Sequence, residues 1–567
     1  MSDDSMRREH CVLLHNAHIY PGRAPAEGAG ASEHHGSDRV DVPPGELTAM
    51  LTRGAEILWV GTEEDYLRAT DDLDEAAGDQ LIDCGGALLT PAFCDAHVHL
   101  TMTGQGLDGI DLSATTSVGE ALRLIESAAR HTRGRPIYAH SWDETRWVEH
   151  RPVTARELDR ATYGGVVYMP RIDAHSASVS SAMAAVARVH GLDGWDGDGV
   201  VTREAFAAVT NAFTSAMTPD DREHYLDLAL RAAAERGIGL IHETGAEHLT
   251  SFDDVHHVLE AGTRAGRPQT VAYWGLLVDD PDQAGELQRH LGVRGLAGDL
   301  CADGSFGSRT AHLRQPYLDG QLMGTGVHSF NRGYGYLDGA QISSHVVACT
   351  RAGLQAGGHV IGDAALETMA EGFRAAAAVV GVEAMRAAKH RWEHVELPTD
   401  AVIQVMTELG IWASVQPAFD AAWGGTEGMY AARLGHERAL AAIPLRSLLD
   451  AGISLALGSD SPVTPFDPWG GVRAAMWHHN PAQRLTVEEA FHAHSAAGYE
   501  LGGVEGGYLA AGGPATYVLW EDAKDAQASA DSSGLPLLDE DTVTPIARRT
   551  VVQGAVAFER APMGETG

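Results

Sequence analysis

Short apolar runs recur along the chain, each followed by a longer stretch rich in Ala, Leu and Arg that reads as helix. The runs at 94–99, 238–243, 269–276, 297–302, 355–360, 390–395, 411–416 and 453–460 read as strands. Eight strands in β–α alternation is the count for a (β/α)8 TIM barrel, whose catalytic groups sit at the carboxyl ends of its strands. The stretch 101–235 is too long for an ordinary βα connection. It reads as an insert of helices plus a strand near 165–172, forming a wall or lid of the site. No internal repeat or heptad pattern interrupts this alternation.

The two ends carry a different pattern. Residues 11–20 and 48–60 read as short strands around a loop, 22–47, rich in Gly, Ala, Pro and Ser. Residues 515–520 and 550–558 are again strand-like, separated by the polar stretch 521–544. The predicted architecture is therefore α/β: a barrel over 91–502 and a small β-sandwich composed from 1–90 and 503–567.

Composition narrows the function classes. With 567 residues, 44% of them hydrophobic, the chain suffices for a large core and a second, smaller domain. A net charge of −37 makes nucleic acid and anionic membranes poor partners. The first ten residues lack a secretory apolar stretch, and no apolar segment reaches the ~18 residues of a membrane span. The five cysteines are odd in number and scattered, against a disulfide framework. These readings give a cytoplasmic protein acting on a small molecule, with a homodimer as the candidate assembly. Lys389 and Lys524 are the chain's lysines.

Chemistry gathers at the ends of the predicted strands. His97 and His99 close the first, and i, i+2 spacing puts both imidazoles on one strand face, where they can chelate one divalent metal. His359, His394 and Asp460 close later strands. Together they form a metal-ligand set in the order first, fifth, sixth and eighth strand.

The motifs Asp-Ala-His-Val-His (95–99), Ala-Asp-Gly-Ser-Phe-Gly-Ser-Arg-Thr-Ala (302–311), His-Val-Ile-Gly-Asp (359–363), Glu-His (393–394), Val-Gln-Pro (415–417), Gly-Ser-Asp-Ser-Pro-Val (458–463) and Leu-Thr-Val-Glu-Glu-Ala (485–490) carry a resemblance. In these the chain resembles the metal-dependent amidohydrolase superfamily, and within it family 3, typified by N-substituted formamide deformylases. Ala92 departs from the glycine usual after the proline. The resemblance implies that His97 and His99 hold one metal and His359 and His394 a second. Asp460 would bind the first metal and take the proton of the attacking water. Zinc is the default metal from the histidine-rich ligation, as one or two ions, with Mn, Fe or Co as alternatives.

Many relatives bridge their metals with a carbamylated lysine on the fourth strand. The corresponding stretch here places Asp299 at that position, and neither lysine can substitute, so a carbamate bridge is excluded. Glu243, closing the second strand, is the first candidate for the bridge. Asp299 follows, its side chain being shorter than a carbamylated lysine. Cys301 is a third candidate, and a one-metal site a fourth possibility. Trp142, Asp143, Arg171, Asp173 and Asp303 lie in motifs that read as pocket wall, and His175 is the candidate transition-state contact. The expected function is hydrolysis of a C–N bond in an N-acyl, N-formyl or cyclic amide. Deamination or another hydrolysis on the same metal site is the rival, and a binding protein with a degenerate site a third reading.

Overall fold

The computed structural model describes residues 10–23, 46–69, 79–132, 134–319, 331–521, 534–539 and 542–561. Eight parallel strands lie side by side in chain order: Phe93–Val98 (β1), Ile238–Ala246 (β2), Gln269–Gly275 (β3), Gly295–Leu296 (β4), Gln355–Val360 (β5), Arg391–His394 (β6), Trp412–Val415 (β7) and Leu455–Leu457 (β8). The ring closes just beyond β8, where the Asp460 N–H donates to the His97 carbonyl at 2.8 Å. The His99 N–H donates to the Ser461 carbonyl at 2.9 Å in the same closure. That seam sets the eighth-strand aspartate against the first-strand histidines.

Helices follow the strands and bury one stripe each. In the helix Asp363–Val380, the buried residues Leu366, Met369, Ala370, Phe373, Ala376 and Ala377 recur at helical spacing. Phe373 meets Trp392 of β6 edge-on, ring centroids 5.1 Å apart. Burying a side chain of this size stabilises by roughly 1.5–3 kcal/mol, so each helix is fastened to its strand mainly by its apolar face.

Strand β4 departs from expectation. The sequence predicts a strand over 297–302, but regular pairing stops at Leu296, and one further bridge joins Cys301 to His359. The break falls at Gly298, whose φ of 69° lies in the left-handed region that glycine tolerates. The displaced backbone of Asp299 and Leu300 lies so close to Gly275 that a Cβ there would stand 2.6 Å from it. These two glycines let the chain kink just before Asp299.

The insert also differs. It holds not one strand but a sheet of five, ordered Val200–Thr202, Ser176–Val179, Val167–Pro170, Ile137–His140 and Ile110–Asp111. These strands are short, and Ser176–Val179 reads Ser-Ala-Ser-Val, with little β-branched signal to detect. The insert has its own apolar cluster, including Leu112, Ile125, Trp142, Trp147, Val167 and Met169.

Two more sheets come from the ends. One comprises Cys11–His15, Ala49–Arg53, Glu56–Gly61 and Gln80–Asp83; the other comprises His18–Ile19, Leu88–Pro91, Tyr517–Glu521, Ile546–Val552 and Ala555–Glu559. Leu14, Met50 and Ile57 of the first share an apolar cluster with Leu89, Tyr517 and Val551 of the second. Leu88–Pro91 runs on directly into β1. Most of the loop 22–47, Lys524 and much of 521–544 fall outside the described residues. Among the described residues no helix is long and apolar enough to cross a membrane.

Candidate metal centre

Each central side chain is delivered by a strand end. His97 is the next-to-last residue of β1 and His99 follows that strand; both are buried. His359 lies in β5, and His394 ends β6 with φ 70°. Asp460 lies just past β8 with φ 55°. Left-handed backbone at a non-glycine residue costs of order 1–3 kcal/mol, and such strain persists where surrounding structure over-determines it. Here the seam hydrogen bonds and Asp95, whose carboxylate accepts from Ser459 N–H at 2.8 Å, hold the turn that carries Asp460.

Two groups of ligand atoms lie within 4.8 Å of one another: His97, His99 and Asp299, and His97, His394 and Asp460. Asp299 Oδ1 stands 3.3 Å from His97 Nε2, and Oδ2 stands 3.4 Å from His99 Nε2. Asp460 Oδ1 is 3.2 Å from His99 Nε2 and 3.6 Å from His97 Nε2. These separations are long for charge-assisted hydrogen bonds. They match the edges of a coordination polyhedron: ligands about 2.0–2.1 Å from one ion at tetrahedral angles lie roughly 3.3–3.4 Å apart.

The polar atoms at the centre point the same way. His97 Nε2, His394 Nε2, Asp299 Oδ1 and Asp460 Oδ1 are buried without a hydrogen-bond partner. An unpaired buried polar atom costs about 1–3 kcal/mol, and all four belong to the two groups in which a cation would answer them. The opposite faces of two rings are tied down: His97 Nδ1 to Glu393 Oε2 at 2.9 Å and His394 Nδ1 to Gln416 Oε1 at 2.8 Å. Such outer partners fix tautomer and ring orientation in metal sites. Glu393 is itself gripped by Arg391 through contacts of 2.6 and 2.7 Å. Burial pushes the Glu393 carboxyl up, but Arg391 and His97 outweigh it and hold it at about 2.

The electrostatics suit an N/O donor set for a divalent ion. Burial drives His359 well below the usual imidazole range and His394 to about 4, which keeps both in the neutral, ligating form. Burial opposes charge on His97 as well, yet Asp460, Asp299 and Glu393 overcome it and raise His97 well above its ordinary value. Burial would raise Asp299, but His99 and His97 hold it well below the carboxylate range. The carboxylates thus create a field that calls for positive charge where these atoms meet.

The structure brings Asp299, not Glu243, into this group. Glu243 Oε2 accepts from the Leu100 N–H at 2.8 Å and so caps the helix Leu100–Asp108 that follows β1. Burial raises that carboxyl to about 7. The expectation that Asp299 is too short assumed a regular β4; the kink at Gly298 removes that premise. The Cys301 thiol lines the cleft but lies outside both groups, 3.7 Å from His248 Nε2, and burial pushes it well up. Lys389 pairs with Glu500 at 2.9 Å and lies over the Trp412 ring at the start of β7, away from the centre. His359 faces His175 across 3.1 Å between their Nε2 atoms.

A cleft of about 530 Å³ opens over these residues, its walls including Met102, His175, Phe206, His248, Leu249 and Tyr336. A smaller, mostly apolar recess continues from His359 and His394 toward Phe306, Phe419, Trp423 and Met429. Of the expected wall residues, Asp173 reaches both spaces and the other four do not. Trp142 is buried, donating to the Met169 carbonyl at 2.8 Å and stacking on Trp147. Asp143 accepts from the Thr145 N–H and Arg171. Arg171 is buried against Glu144 at 2.8 Å. Asp303 accepts three backbone N–H bonds, from His312, Ile361 and Gly362, while burial raises it to about 7. These side chains satisfy internal partners, which motif position alone does not disclose. Sequence reasoning did not assign Glu393, Arg391 and Gln416, although Glu393 and Gln416 stand inside quoted motifs.

The amidohydrolase family model matches residues 80–558. The putative amidohydrolase YtcJ of Bacillus subtilis (strain 168) is 26% identical, covering 91% of this chain and 99% of that protein. The N-substituted formamide deformylase of Arthrobacter pascens is 25% identical, covering 90% and 95%. An uncharacterized metal-dependent hydrolase from Pyrococcus furiosus shares the fold with a TM-score of 0.65 at 23% identity, covering 90% of this chain and 98% of that one. The alternating strands, the histidine and aspartate cluster at their carboxyl ends and the family match agree: the chain belongs to the amidohydrolase family and is a metal-dependent hydrolase.

Proposed function

We propose that the protein hydrolyses a C–N bond in an amide-like small molecule, of the N-acyl, N-formyl or cyclic amide class, using one or two divalent ions, zinc by default. The observation that carries this reading is the gathering of four buried, unpartnered ligand atoms, from His97, His394, Asp299 and Asp460, in two groups that share His97 below an open cleft. His97, His99, Asp299 and Asp460 would hold one ion, with His359 and His394 available to a second. A divalent ion there supplies Lewis acidity, polarising a carbonyl and bringing the pKa of water toward about 7.

The chain's own residues do the rest. Asp460 accepts a proton from the attacking water as the new C–O bond forms, then delivers it to the nitrogen as the C–N bond breaks. Arg391 and Glu393 keep the His97 ring fixed during these transfers. The cleft walls bring Met102, Phe206 and Leu249 against the substrate, favouring an organic group over a bare ion.

The test is Asp460→Asn assayed on N-acyl, N-formyl and cyclic amides. Turnover is expected to fall by roughly 10²–10⁴-fold, the range for a lost acid–base group, with most metal retained. Unchanged turnover would assign the proton transfers to another residue.

A further inference from the structure

His175 comes from outside the barrel, on the turn between the insert strands Val167–Pro170 and Ser176–Val179. That turn is anchored. The Asp173 carboxylate oxygen Oδ2 lies 3.2 Å from Arg171 Nη1 and accepts from Ser305 Oγ at 2.6 Å and Ser308 Oγ at 2.7 Å. Ala174, directly before the histidine, has φ 50°, a strained conformation for a residue with a Cβ. Anchor and strain together aim His175 into the barrel mouth, with its Nε2 3.1 Å from His359 Nε2 and the rings inclined at 65°.

Two imidazole nitrogens at that distance either share one N–H or point two lone pairs at one cation. The separation is near the roughly 3.3–3.4 Å edge expected for two nitrogens about 2.0–2.1 Å from a tetrahedral ion. Nearby, His394 Nε2 is buried without a partner, and its ring centroid is 4.4 Å from that of His359.

We propose that His175 is a metal ligand sharing an ion with His359, so that the insert is clipped to the barrel through the metal. The proposal rests on the metal-hydrolase reading and goes beyond it by making the insert part of the metal centre. His175 then acts by bonding the ion rather than by contacting the transition state directly.

The test loads Co(II) into apo-protein of the wild type, His175→Gln and His175→Ala, reading cobalt content, affinity and the visible ligand-field spectrum. Glutamine retains a side chain able to hydrogen-bond His359 but lacks the imidazole. Both variants are expected to bind the affected ion at least about tenfold more weakly, matching or exceeding the loss typical of outer partners. Their ligand-field bands should change, and added imidazole should restore the wild-type spectrum in His175→Ala. Equal cobalt content, affinity and spectra in all three proteins would overturn the proposal while leaving the hydrolase reading intact. Absence of cobalt binding in the wild type would overturn both.

Discussion

At the scale of single residues, the site depends on which carboxylate meets His97 and His99. Asp299 is the one in reach, while Glu243 is committed to the Leu100 N–H. Asp299→Ala should therefore lose metal, measured by elemental analysis after dialysis. Glu243→Gln should keep it, because the amide oxygen can still accept from the Leu100 N–H. The reverse pattern would return the bridge to Glu243. The lysines give a second prediction: Lys389 pairs with Glu500 and lies over Trp412 at the start of β7, away from the centre. Recovery of activity when metal is added to apo-protein should be independent of bicarbonate. A bicarbonate requirement would point to a carbamate instead.

At the scale of elements, the local path of β4 decides the site. Gly298→Ala would place a Cβ 3.0 Å from Thr244 Cβ in a left-handed conformation. The expected loss is about 1–2 kcal/mol of stability together with weaker metal binding, because Asp299 follows directly. A stability loss with unchanged metal affinity would show that the kink does not place Asp299. This element also marks where sequence reading reached its limit. His97, His99, His359, His394 and Asp460 were legible because each closes an apolar run whose period places it. Asp299 was visible as a residue, but its reach depends on a left-handed glycine and on close packing against Gly275. The five-stranded insert sheet was missed for a related reason, since strands of two to four residues carry too little periodicity to detect.

At the scale of the whole molecule, buried ion pairs join the insert to the barrel loops. Glu144 accepts from Arg171 at 2.8 Å and from Arg433 at 2.8 Å, and Arg433 also contacts Asp319, which pairs with Arg309. Burial raises the Glu144 carboxyl, but the two arginines outweigh it and hold it below its ordinary value. Glu144→Gln would leave two buried guanidinium groups short of a counter-charge. A cost of about 3–5 kcal/mol is expected, seen as a lower thermal midpoint and faster proteolysis within 101–235. Unchanged stability would mean that the remaining carboxylates suffice to hold the insert.

The central claim is that distant strand ends converge to hold a cation, and crystals of the metal-loaded protein measured at the metal's absorption edge test it most directly. The account predicts an anomalous peak bounded by His97 Nε2, His99 Nε2 and the carboxylates of Asp299 and Asp460. A fully loaded crystal with no peak there, or with the ion held by Glu243 while Asp299 turns away, would contradict it.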